Sequence, residues 1–141
     1  MNNLWFKSDL FEVEPREDDE INSRMYGRQL AHWLKTRLQR IGYDVEPVIA
    51  EDWGRCLMVP RDPFMLWIGC GSIVEDGNVN EHNPPPAKEN IVWHCFVEAE
   101  ISIFKRLFNK PDVVPARNKL TADLARILAS EARITMVDEP S

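Results

Sequence analysis

No apolar run in the chain approaches the ~18–20 residues that a helix needs to cross a bilayer. Cysteine is scarce: Cys56, Cys70 and Cys95 are an odd number, widely spaced, with no C-x-x-C pair. That pattern excludes a disulfide framework and lacks the close pairing of zinc ligands, so reduced thiols and no bound metal are expected. Positive charge is also short, with 17 Lys and Arg against 23 Asp and Glu and a net charge of −6. Binding to nucleic acid or to an anionic membrane surface draws its affinity from neutralised phosphates, so neither is expected as a partner. The opening MNNLWFKSDLFEVE has one Lys and no long apolar stretch, so it does not read as a signal peptide, and a cytoplasmic location is expected. Catalytic signatures are missing as well. No G-x-S-x-G elbow occurs, and WIGCGS (67–72) has neither the spacing nor the lysine of a phosphate-binding loop.

What is present suits one folded unit. The 141 residues are 44% hydrophobic and 28% charged, which predicts a single domain over 1–141 that folds without disulfide or metal. LWFKSDLFEV (4–13) reads as a short strand, followed by the acidic loop EPREDDE (14–20). In residues 21–42, Tyr26, Leu30, Trp33, Leu34, Leu38 and Ile41 recur at spacings of three and four, which predicts an amphipathic helix. Asp19 or Asn22 is placed to cap it, and Gly42 to end it in a left-handed residue. This segment carries Arg24, Arg28, Lys35, Arg37 and Arg40 and no acid, leaving −11 for the remainder.

Strands are predicted at 45–50, 55–60, 64–70 and 91–97, the last two so apolar that they belong in the middle of a sheet. The stretch 72–90, with three consecutive prolines, is not helical and reads as a long loop. A helical turn is expected near Ile101–Phe108, a second helix over 116–131, and a last strand over 133–138. Three successive strands joined by short turns favour a meander over a parallel sheet. The predicted architecture is α+β: a mainly antiparallel sheet of five or six strands with two principal helices packed on one face.

Glu51-Asp52-Trp53-Gly54-Arg55 concentrates charge and an indole at the end of a strand. Adjacent strand residues face opposite ways, so Glu51 and Asp52 are not an acid/base pair, but one could meet a buried cation. Arg37 is the candidate, since it falls within the apolar stripe of its helix, where a guanidinium needs a carboxylate or must reach to the edge. The candidate binding residues are therefore Arg37, Glu51, Asp52, Trp53 and Arg55; none is assigned to catalysis or to a metal. Trp33, Trp67 and Trp93 read as core, Trp5 and Trp53 as partly exposed and so suited to a binding hot spot. His32 and His82 read as solvated, and the cysteines as core.

YGRQLAHWLKTRL (26–38), EDWG (51–54) and WIGCG (67–71) resemble members of a small cytosolic bacterial protein family, with most of the likeness over residues 5–71. The resemblance implies a bacterial, cytosolic, single-domain protein and brings no activity or cofactor. It also implies an aromatic residue where this chain has Arg55.

Charge segregation without a catalytic set predicts a non-enzymatic acidic module that binds a basic protein, as inhibitors, immunity-like proteins or regulators do. Two other readings compete with it. One is a small-ligand binder or enzyme with a sheet-edge pocket near Asp52, Trp53 and Arg37 and the 72–90 loop as a lid. The other is a subunit that forms homo-oligomers through its strand edges.

Overall fold

The computed structural model describes residues 3–11, 27–51, 54–61, 64–75, 87–101, 107 and 111–140. Six strands form one sheet: β1 (Asn3–Ser8), β2 (Ile49–Glu51), β3 (Gly54–Arg61), β4 (Phe64–Val74), β5 (Ile91–Glu100) and β6 (Ile134–Val137). Helix α1 (Arg28–Arg40) precedes β2, and α2 (Val114–Ala129) precedes β6. The spatial order is β2-β3-β4-β5-β1-β6, and every neighbouring pair is antiparallel. The fold is α+β, as the periodicities predict. The meander runs from β2 to β5, and β1 then fills the gap between β5 and β6.

The two most apolar strands are indeed central. β4 and β5 pair from Met65 opposite Glu100 to Val74 opposite Ile91. β4 is longer than expected because Gly69 and Gly71 do not end it. Gly69 instead admits the ring of Phe96, which lies where a Cβ would be, 2.2 Å from its position. β2 is shorter than the predicted strand over 45–50, because Pro47 has no N–H for a ladder. Only Ile49–Glu51 pair there, although Glu46 still donates its N–H to the Met58 carbonyl at 2.9 Å. β1 stops at Ser8 instead of continuing to residue 13: the chain bends, and the Ser8 hydroxyl accepts the Leu10 N–H at 3.0 Å.

Alternation along each strand sends Phe6, Leu57, Val59, Leu66, Ile68, Cys70, Trp93, Cys95 and Val97 to one face, all buried. Leu30, Leu34 and Leu38 of α1 and Leu120, Leu124 and Leu128 of α2 are fully buried in the same cluster. Both helices therefore lie on one side of the sheet. The described part of α1 covers 28–40 of the predicted 21–42; its proposed caps at Asp19 and Asn22 lie outside the described residues. Gly42 follows the helix with φ +100°, and the Gly42 and Tyr43 N–H groups bond the Gln39 and Leu38 carbonyls. α2 begins at Val114, ahead of the expected 116, because Pro115 suits a first turn whose N–H groups have no partner within the helix.

Candidate functional site

Of the sequence-predicted binding residues, the three that the structure describes, Arg37, Glu51 and Arg55, do not come together. Arg37 lies over the Trp33 ring, 4.8 Å from its centroid, and its guanidinium reaches Glu131, just past α2, at 3.8 Å. That links the two helices by an ion pair about a third exposed. Glu51 faces away from them: it pairs with Gly54, which shares a register row with Gly71 and His94 on the opposite side of the sheet. Arg55 points to the helix side, opposite Cys70, and is 4% exposed. It runs beneath the start of α1, where a Cβ on Gly27 would sit 3.7 Å from the Arg55 Cγ. Asp52 and Trp53 lie outside the described residues, as do the acidic loop 14–20, His82 and the 76–86 part of the long loop. Glu51, Arg55 and Arg37 thus form no common site.

The face turned away from the helices is the distinctive surface. Strand alternation places Trp5 of β1, Met58 of β3, Met65, Trp67 and Ile73 of β4, and His94 and Phe96 of β5 on it. Trp67 is a correction to the sequence reading, which placed it in the core; it is half-buried on this outer face. Four rings form a row across three strands. The Trp5 indole stacks on the His94 imidazole with centroids 3.8 Å apart and planes 1° from parallel. Phe96 follows at 5.1 Å from His94, and Trp67 stands edge-on to Phe96 at 5.5 Å and 75°. Stacked, tilted and edge-on contacts in turn join the four rings into one continuous aromatic row. All four rings are half-buried, so each keeps surface to offer a partner.

Carboxylates border that row. Glu98 pairs with Trp67 and Glu100 with Met65, both exposed, and Glu51 lies on the same face across β3. Desolvation by burial, reinforced by the charges of Glu51 and Glu100, pushes the nearby Cys56 thiol up to about 11. Burial holds the His94 imidazole below its ordinary value, partly offset by the charge of Glu139. His94 is therefore neutral near pH 7, and its Nε2 lies 2.8 Å from the Asn3 side-chain oxygen. The signal for this face is present in the sequence: in IVWHCFVEAE every second residue reads Val, His, Phe, Glu, Glu, a series that ends wet.

Two polar clusters lie elsewhere. At the β1–β6 end, a surface recess of about 500 Å³ is lined by Lys7, Asp9, Lys88, Glu89 and Arg133 among others. Arg133 Nε donates to Asp9 at 2.9 Å, Lys88 Nζ to the Asp9 carbonyl at 3.2 Å, and Lys7 pairs with Glu75 at 2.5 Å. Cations and carboxylates answer one another there, fastening β1 to its neighbours. Behind α1, Asp123 is 5% exposed and accepts from Tyr43 Oη at 2.5 Å, Lys119 Nζ at 2.9 Å and Arg126 Nη1 at 2.7 Å. Burial alone would raise this carboxyl, but the three donors outweigh it and hold it at about 2. This clamp ties the loop after α1 to α2. Cys56, Cys70 and Cys95 are free and buried on three adjacent strands. Among the described residues, no group of three or more His, Cys, Asp or Glu could hold a metal ion, and no helix is long and apolar enough to cross a membrane.

Comparison with protein-family models, with curated proteins and with solved structures yields no match.

Proposed function

We propose that this chain is a non-enzymatic, acidic protein-binding module that acts by covering a basic partner, as inhibitors, immunity-like proteins and regulators do. The observation that carries this reading is the half-exposed row Trp67–Phe96–His94–Trp5 on the sheet face that neither described helix covers. Tryptophan-rich, partly exposed surface held rigid by its scaffold is what binding hot spots are made of. Completing the burial of such half-buried rings contributes favourably to association, by up to about 1–2 kcal/mol each before the cost of association is met. Free, buried thiols suit a reducing compartment, which supports a cytoplasmic module.

The test is capture from low-salt lysate on immobilised protein, identification of the retained protein, and reconstitution of the pair from purified components. Trp5→Ala and Trp67→Ala each weaken the reconstituted complex at least about tenfold if these rings are hot spots. A complex indifferent to both substitutions, or no retained partner at all, contradicts the reading.

A further inference from the structure

We infer that the sheet face opposite the two described helices recognises a segment of its partner in which arginine or lysine alternates with apolar residues, the cations seated on the aromatic row and against its carboxylates. This rests on the protein-binding reading above and adds the chemistry of the occupant. Trp67 lies between Met58 and Glu98 in the register, and Met65 between Pro60 and Glu100, so each large apolar side chain has a carboxylate beside it. A guanidinium stacks on an indole face while its N–H groups bond a neighbouring carboxylate, and this arrangement supplies both. Thioethers next to the rings adapt to varied aliphatic side chains.

Charge complementarity selects this occupant over others. The described cation on this face, Lys7, is engaged by Glu75, which leaves Glu51, Glu98 and Glu100 to set its sign. Phosphates of a single-stranded nucleic acid would be repelled by the same carboxylates that border the rings. Two copies meeting face to face would bring like charges together, at a cost that disfavours that dimer.

Three synthetic ten-residue peptides provide the probes: alternating Arg-Leu, Ser-Leu and Glu-Leu. Titration calorimetry is combined with NMR observation of the Trp5 and Trp67 indole N–H signals, assigned by substitution. The Arg-Leu peptide binds and shifts both indole signals, and the Ser-Leu peptide binds at least about tenfold more weakly, as loss of a charge-assisted contact demands. Combined Glu98→Gln and Glu100→Gln substitution weakens the Arg-Leu peptide at least about fivefold and flattens its salt dependence. Asp44→Asn, an exposed acid between α1 and β2, changes affinity less than about twofold, since a remote charge is screened. All variants are first shown to melt like the parent.

Equal affinity for the Ser-Leu and Arg-Leu peptides overturns the cation inference and leaves the protein-binding reading standing. The same holds if no peptide binds while a reconstituted partner still depends on Trp5 and Trp67. Preference for the Glu-Leu peptide, binding of an oligouridine probe at this face, or a concentration-dependent dimer that blocks the indole shifts each overturns it as well. Failure of the peptides together with failure to retain any partner overturns both.

Discussion

At position 54 a hydrogen stands where a side chain would collide with backbone. Gly54 has φ +154°, and a Cβ there would lie 2.3 Å from the Cys70 carbonyl oxygen. Backbone cannot yield as a side chain does, so Gly54→Ala lowers unfolding free energy by at least about 2 kcal/mol, measured by urea denaturation. The opposite case is Asp123, where polar groups hold two elements together. Its carboxyl is held at about 2 in the folded protein, against about 3.9 when unfolded, which is worth about 2–3 kcal/mol near neutral pH. A lowered carboxyl stabilises the fold above the unfolded value and loses that contribution as pH falls from about 4 toward 2. Asp123→Asn flattens the stability profile across that window, whereas a profile unchanged from the parent contradicts the clamp. His94 acts in the same direction, but nearer neutrality. Its lowered value means the unfolded chain takes up the proton first, so stability declines as pH falls below 6.5. Trp5→Ala uncovers the imidazole and returns its NMR titration midpoint toward 6.5.

Among the described residues, the sheet has one side that carries both helices and one that carries neither, and substitutions read that division. Leu34→Ala, in α1 and fully buried, costs about 2–5 kcal/mol. Trp67→Ala removes a larger side chain but from a face already half in water, and costs less; denaturant midpoints of the two variants decide the order. Much of this was legible beforehand. Period 3.6 in 30–38 and in 120–128 gives the helices, and the apolar runs at 64–70 and 91–97 give the central strands, because both signals are local. The misplacement of Trp67 has a physical cause. A continuous apolar run implies burial on both faces, yet a sheet with helices on one side keeps the same run half-exposed on the other. The insertion of β1 between β5 and β6, and the pairing of Arg37 with Glu131, depend on contacts between distant parts of the chain, which no local pattern encodes. Of the candidate residues, Glu51 does border the face opposite the described helices, while Arg55 and Arg37 serve the helical side.

At the scale of the molecule, the charges of the described residues follow the layers. α1 carries Arg28, Lys35, Arg37 and Arg40 without an acid, and α2 carries Arg117, Lys119 and Arg126 against Asp123 alone. The basic excess expected for one helix therefore extends to both, while among the described residues of the opposite sheet face Glu51, Glu98 and Glu100 outnumber Lys7, which pairs with Glu75. On the proposed function, carboxylates beside the aromatic row would steer a basic partner toward it and accelerate encounter at low salt. Trp5 and Trp67 are half-buried indoles on the face that carries Glu51, Glu98 and Glu100. Collisional quenching of tryptophan fluorescence by caesium and by iodide, at matched ionic strength in the parent, Trp5→Phe and Trp67→Phe proteins, tests their electronegative setting most directly. With each quencher normalised to its effect on free N-acetyltryptophanamide, caesium quenches the protein relatively more than iodide does, and the excess shrinks in each variant; a normalised iodide effect equal to or greater than that of caesium would contradict an electronegative setting for these indoles.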